Sequence, residues 1–232
     1  MAKTGVKCTA IVLAGGSGSR MGTKVAKQYI EIDGFPIIYY TLEAFENSMI
    51  DDIILVCRES DVSYCTEEIV KKYGFTKVSS VVVGGKERFD SVYEGLKAAK
   101  NCDYVFIHDG ARPCITDEVI ERCFENVVEC RACVAAVPVK DTIKISDEAG
   151  FVAQTPTRST LWQIQTPQVF EYSLVKSAFD KMYENNQTDG ITDDAMVVER
   201  FGDCRVKLVM GSYSNIKVTT PEDLRMITLK NS

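Results

Sequence analysis

Glycines followed closely by cations are the residues of this chain best placed to do chemistry. The segment Ile11 to Gln28, IVLAGGSGSRMGTKVAKQ, runs from four apolar residues into Gly15, Gly16 and Gly18, then into Arg20 and Lys27. Glycine lets a backbone come close to a ligand, and a turn of bare N–H groups after a strand cradles anions. Two cations just beyond such a turn imply a polyphosphate whose charge must be neutralised, as in a nucleoside triphosphate. The commoner glycine motifs do not fit. Gly16, Gly18 and Gly22 miss the G-x-G-x-x-G dinucleotide fingerprint by one position, and Thr23 stands where a Walker loop carries Lys.

Two further polar turns follow strand-like runs. GGKERFDSVYEGL passes from Gly84 and Gly85 into a helix with Ser91 near its start, where unpaired N–H groups can meet base or phosphate. IHDGARP puts Asp109 at a strand end beside Arg112. An acid so placed suits Mg²⁺, which binds oxygen and takes substrate phosphates as co-ligands. The alternative is an Asp–Arg pair that only fixes the loop. His108 is expected to be structural, because attack by an ionised phosphate needs no base. Three more polar clusters are DTIK (Asp141–Lys144), ITDDA (Ile191–Ala195) and SNIKVTTPEDL (Ser214–Leu224). Thr192 leads into a helix N-terminus, and Lys217 sits in a short strand before another helix start.

Positioning these turns requires a scaffold. Apolar runs near 8–14, 52–57, 79–83, 103–108, 132–137 and 205–210 read as strands, and helical patterns fall near 38–48, 60–72, 87–100, 116–129, 171–185 and 193–201. The alternation predicts an α/β fold, a mainly parallel sheet covered on both faces. Right-handed crossovers bring the strand C-termini to one edge, outside which such sheets bind ligands. The region 140–166 breaks the rhythm, alternating β-branched and polar residues around Asp147-Glu148-Ala149-Gly150. It predicts a hairpin arm inserted in a single domain of residues 1–232, with a dimer contact as its role.

Composition narrows the function classes. A net charge of −6 argues against wholesale binding of nucleic acid or anionic membrane, so phosphate affinity must come from a local pocket. No apolar run approaches the roughly 18 residues of a spanning helix. The apolar run in MAKTGVKCTAIVLAGG is too short for a signal peptide and ends in the glycine loop. The nine cysteines are odd in number and lie mostly in apolar patterns. Cys130 and Cys133 form the one CxxC and His108 is the only histidine, so a zinc site lacks ligands. Reduced structural thiols in a cytoplasmic protein are the expectation.

Taken in order, AGGSGSRMG, AKQY, GGKERFDSV, HDGARP, PVKDTIK, TPTRSTLWQIQTPQVF, ITDDA and NIKVTTPEDL resemble the 2-C-methyl-D-erythritol 4-phosphate cytidylyltransferases of the non-mevalonate isoprenoid pathway. The resemblance covers nearly the whole chain. Its first motif alone would mark only the wider sugar-phosphate nucleotidyltransferase superfamily. It implies a Rossmann-like domain, a homodimer joined through the hairpin arm, and a reaction of CTP with methylerythritol 4-phosphate that gives the CDP-alcohol and pyrophosphate. By likeness, Ala14, Gly15, Gly16, Ser17 and Gly18 wrap CTP, with Gly84, Gly85 and Ser91 at its base and ribose. Arg20 and Lys27 stabilise the transition state, and Asp109 holds Mg²⁺ or another divalent cation. Arg112, Thr142 and Thr192 match positions that bind the sugar phosphate. Arg158 reaches the partner subunit's site, and Lys217 positions the attacking phosphate.

This chain departs from the family pattern at Ala26, where Pro is frequent, at Gly110, where Ala is usual, and at Asp194, where Glu is common. The nearest rival is a ribitol 5-phosphate cytidylyltransferase, which shares the first loop and the chemistry; DTIK and TPTRSTLW fit the isoprenoid enzyme better. A non-catalytic nucleotide-binding regulator would be expected to have lost Lys27 or Lys217, and both are present. A hydride-transferring dehydrogenase fails on the fingerprint.

Overall fold

Continuous apolar runs are what a strand needs when helices cover both faces of its sheet. In the computed structural model, which describes residues 5–16 and 26–227, those runs become the centre of a seven-stranded sheet. The chain runs β1 (Cys8–Leu13), β2 (Glu31–Ile32), β3 (Phe35–Pro36), α1 (Ile37–Glu46), β4 (Asp52–Cys57), α2 (Val62–Tyr64, continued as a π-helix over Cys65–Lys71), β5 (Val78–Val83) and α3 (Arg88–Ala98). It continues through β6 (Tyr104–Asp109), α4 (Asp117–Cys130), β7 (Ala132–Pro138), β8 (Ile145–Ser146), β9 (Val152–Gln154), β10 (Trp162–Glu171), α5 (Tyr172–Glu184), α6 (Asp194–Phe201), β11 (Lys207–Met210) and α7 (Pro221–Met226). Ser17, Gly18 and Arg20 lie outside the described residues.

The strand order is β11-β7-β10-β6-β1-β4-β5, with β1 parallel to both β4 and β6. Alternate residues of β1 serve opposite faces. Ala10 and Val12 join Leu42, Phe45, Ile120 and Val127 of α1 and α4, whereas Ile11 joins Val92, Leu96, Phe179 and Val198 of α3, α5 and α6. Each of the larger of these side chains, fully buried, contributes about 1.5–3 kcal/mol. This two-sided burial holds the C-terminal ends of β1, β4, β5 and β6 level along one edge.

One expectation about this region is corrected. The arm was expected to run to Thr166, but Trp162 begins β10, which pairs antiparallel with β7 and then with β6 in the middle of the sheet. Its polar alternation hid a buried strand, because the polar side chains find partners inside. Gln165 Nε2 donates to Ser212 O at 2.8 Å, Asn215 Nδ2 to Thr166 O at 2.8 Å, and Gln168 Nε2 to Asp193 Oδ2 at 2.9 Å. The hairpin itself is shorter. β8 and β9 pair antiparallel, apart from the main sheet, around a turn in which Asp147 Oδ1 accepts from the N–H groups of Ala149 and Phe151. The small β2–β3 hairpin was not anticipated.

Candidate active site

Three turns are tied to neighbouring strand ends. Ala14 N–H donates to Val56 O at 2.7 Å, Gly84 N–H to Cys57 O at 2.8 Å and Gly110 N–H to Leu13 O at 2.9 Å. The glycine loop, the second glycine turn and the tip of β6 therefore meet at one edge. Between them lies a cleft of about 530 Å³ whose walls include Gly15, Gly16, Lys27, Gly85, Ser91, Asp109 and Lys217. Among the described residues, no cysteine or histidine lines it.

Each wall has a local cause. Gln28 Nε2 donates to Ala14 O at 2.5 Å, which pins the short 3-10 turn Lys27–Tyr29 to the exit of β1 and turns Lys27 to the cleft. Ala14 itself is buried beneath the loop rather than lining the cleft. On the opposite side, Glu87 and Asp90 form a capping box that starts α3. Ser91 Oγ accepts from Gly85 N–H at 3.2 Å and so binds this helix start to the second glycine turn. Gly84 must be small there, since a Cβ would come within 2.6 Å of Ser91 Oγ.

Asp109, at the end of β6, is the focus of the charge. Lys217 Nζ lies 2.7 Å from one carboxylate oxygen, and Arg88 Nε donates to the other at 3.2 Å. Arg112 Nε stands 3.8 Å away. Burial alone would raise this carboxyl, but the charges of Arg88, Lys217 and Arg112 hold it well below the usual carboxylate range. The Asp–Arg loop pair weighed from sequence is therefore the weakest of three contacts. Arg112 also donates from Nη1 to Asn215 O at 2.8 Å, beneath the cleft rather than in its lining.

His108 is fully buried. Asp109 N–H donates to Thr166 Oγ1 at 3.1 Å, which directs the Thr166 hydroxyl proton to His108 Nδ1, also at 3.1 Å. That leaves Nε2–H facing Arg112 O at 3.2 Å. Burial lowers the imidazole to about 4, so it stays neutral and braces the 108–112 turn. It does not line the cleft.

The remaining candidates lie apart. Thr142 is exposed on the arm, and Arg158 Nη1 reaches only the carbonyl of Lys140, at 3.2 Å. Thr192 is exposed in the loop before α6, whose N-cap is the adjacent Asp193. None of these three lines the cleft within one chain. Sequence reasoning passed over Arg88 as a site residue and treated Asp194 only as a departure. Arg88 Nη1 and Nη2 each donate to one oxygen of fully buried Asp194 at 2.9 Å. Burial lowers this guanidinium, and Asp194 and Asp109 more than restore it. The available signal was an Arg three residues after Gly85 and a doubled Asp in ITDDA.

With this geometry in place, the relatives are informative. The family profile described as IspD: 2-C-methyl-D-erythritol 4-phosphate cytidylyltransferase matches residues 8–229. A 2-C-methyl-D-erythritol 4-phosphate cytidylyltransferase of Lachnospira eligens is 54% identical over 219 residues, 94% of this chain and 96% of that one. One from Alkaliphilus oremlandii is 49% identical over 220 residues, 94% and 92% of the two chains. Among solved structures, the 4-diphosphocytidyl-2C-methyl-D-erythritol synthase of Anaerococcus prevotii superposes with a TM-score of 0.83 at 35% identity, over 96% of this chain and 95% of that one. The enzyme of Francisella tularensis superposes with a TM-score of 0.79 at 31% identity, over 95% and 97%. The Rossmann-like α/β expectation and the family expectation both hold: the chain belongs to the 2-C-methyl-D-erythritol 4-phosphate cytidylyltransferase family, and is an enzyme.

Proposed function

We propose that the cleft joins the cytidylyl group of CTP to 2-C-methyl-D-erythritol 4-phosphate by direct attack of one phosphate on another, with cations and no general base. The observation that carries this reading is the lining itself: Lys27, Arg88 and Lys217 share the cleft with the ionised carboxylate of Asp109, and the single histidine is buried and neutral. An ionised oxygen of the acceptor phosphate forms a bond to the α-phosphorus of CTP. The bond to the β-phosphate oxygen breaks, and its electron pair leaves on pyrophosphate. No proton has to be removed, since a phosphate monoester is largely dianionic near neutral pH. Negative charge grows on the equatorial and leaving oxygens, where fixed cations stabilise it.

In this reading Gly15, Gly16, Gly85 and Ser91 receive the nucleotide, together with Ser17 and Gly18. Lys27 and Arg20 stabilise the transition state, and Lys217 positions the acceptor phosphate. Among the described residues no three His, Cys, Asp or Glu side chains gather to share an ion. One carboxylate, Asp109, is nevertheless the kind of donor Mg²⁺ uses when substrate phosphates complete its shell, so the residues fit that ion. Bound there, it would neutralise phosphate charge. Thr142, Arg158, Thr192 and Arg112 serve the acceptor, with Arg158 supplied across a homodimer built on the arm. Phe151 and Val152, 72% and 62% exposed on that arm, support such a contact. The nine cysteines, five of them buried, support a cytoplasmic location.

The test is pyrophosphate release from CTP and Mg²⁺ with either methylerythritol 4-phosphate or ribitol 5-phosphate. Release with the first and at least tenfold less with the second is expected. Equal or faster release with ribitol phosphate would overturn the acceptor assignment.

A further inference from the structure

We infer that Asp194, which lies outside the cleft, is a positioning residue for this reaction: through Arg88 it fixes the carboxylate of Asp109. Asp194 is completely buried at the start of α6, and both of its oxygens are taken by the two Nη groups of Arg88 at 2.9 Å. A planar guanidinium held by two parallel bonds has its plane fixed, and with it the direction of its Nε–H. Nε meets Asp109 Oδ1 at 3.2 Å. The far end of the chain of contacts is as rigid as the near one. Ala195 N–H donates to Gln168 Oε1 at 2.8 Å, and Met196 N–H to Asp193 Oδ1 at 3.0 Å, so the first turn of α6 is anchored to β10.

Stability does not account for the pair, because a buried ion pair seldom holds a fold better than apolar side chains of the same volume. Geometry does. Arg88 stands between two carboxylates, and Asp109 is also claimed by Lys217 at 2.7 Å. Without the charge of Asp194, the Nη fork of Arg88 would turn to Asp109 and draw it from Lys217. The carboxylate and both cations would then leave the arrangement that the substrates meet. Asp194 also follows Thr192 by two residues, so the same pin joins the loop assigned to the acceptor with the helix that carries Ser91.

This inference rests on the cytidylyl-transfer reading, and the experiment separates the two. Steady-state pyrophosphate release is measured for the unsubstituted chain, Asp194→Asn, Asp194→Glu and Arg88→Lys, alongside the Arg88 Nε–H signal in ¹⁵N NMR spectra. Asp194→Asn is expected to lose about 10–100-fold in kcat, with KM for CTP within threefold. Asp194→Glu is expected to recover most of that loss. Arg88→Lys keeps the charge but has no fork, so it should fall as Asp194→Asn does, and it decides the matter should Asp194→Asn fail to fold. The Nε–H signal should persist in the unsubstituted and Asp194→Glu chains and vanish in Asp194→Asn. A normal kcat in folded Asp194→Asn or Arg88→Lys, a glutamate variant as impaired as the asparagine one, or an unchanged Nε–H signal would each overturn the pin. Absence of pyrophosphate release from the unsubstituted chain would instead overturn the reaction.

Discussion

The cleft and the arm differ in how far one chain completes their interactions. In the cleft, Asp109 is nearly enclosed and three cations face it, two of them anchored by other elements. On the arm, Thr142 and Arg158 are exposed, and Arg158 Nη1 donates to the backbone carbonyl of Lys140 on the same arm. Groups held in place beforehand stabilise a transition state without reorganising as charge develops. Groups on an exposed hairpin cannot do so until a second surface orders them. On the proposed reading, the phosphate chemistry belongs to the finished cleft, and part of the acceptor site would come from a partner subunit.

The largest effect should come from removing a cation from the finished region. Lys27→Ala is expected to lower kcat on the order of 10²–10³, while the melting temperature moves by no more than about two degrees. A loss below tenfold would remove Lys27 from the transition state. Arg158→Ala should also cut turnover, by about 10–100-fold, without touching stability. Here the comparison can be broken outright. Hybrids of Arg158→Ala and Lys27→Ala chains should regain activity if Arg158 serves the neighbouring site, because one site of each hybrid is then intact. Proven hybrids that regain none would return Arg158 to its own chain.

How much of this was legible in the sequence follows from where each partner lies. The parallel strands were readable because burial on both faces demands unbroken apolar runs, such as Ile53–Cys57. β10 was not, because Gln165, Thr166 and Gln168 are polar by type and buried by virtue of partners up to 58 residues away. The cleft shows the same division. Gly15, Gly16 and Asp109 stand at strand ends, so topology alone brings them to one edge, and the Gln28–Ala14 bond brings Lys27 to it. Arg88 sits in the charged run KERFD and resembles a solvated helix start. Its role depends on Asp194, 106 residues on, which no local pattern connects to it.

Acid should act on the cleft before the arm. The His108 imidazole, ordinarily near 6.5, is lowered by burial to about 4 beneath the tip of β6. Between those values the unfolded chain takes up a proton that the folded chain refuses, so stability falls as pH drops through the window and is whole above it. The full loss is about 3 kcal/mol. Urea midpoints at pH 7 and pH 4.5 should differ more for the unsubstituted chain than for His108→Gln, which has nothing to titrate there. Equal differences would place the acid sensitivity elsewhere.

The smallest effects separate the two regions at single glycines. Gly110 lies against α1, and a Cβ there would stand 2.5 Å from Ile38 Cδ1 and 2.9 Å from Leu13 O. Ile38 can shift; the Leu13 carbonyl cannot, because it accepts the Gly110 N–H at 2.9 Å and so joins the β6 tip to β1. Gly110→Ala should therefore cost about 1–3 kcal/mol and lower kcat a few-fold, since the tip that must move carries Asp109. Ile38→Val should restore part of both by removing Cδ1. On the arm, Gly150 adopts φ +87° with open space around it, so Gly150→Ala meets only local backbone strain of about 1–2 kcal/mol. That strain falls on a turn that can open without disturbing the sheet, so global stability should barely change and kcat should stay within twofold. A Gly150→Ala chain that lost more turnover than Gly110→Ala would show the arm to be as tightly set as the cleft, and the contrast between them would collapse.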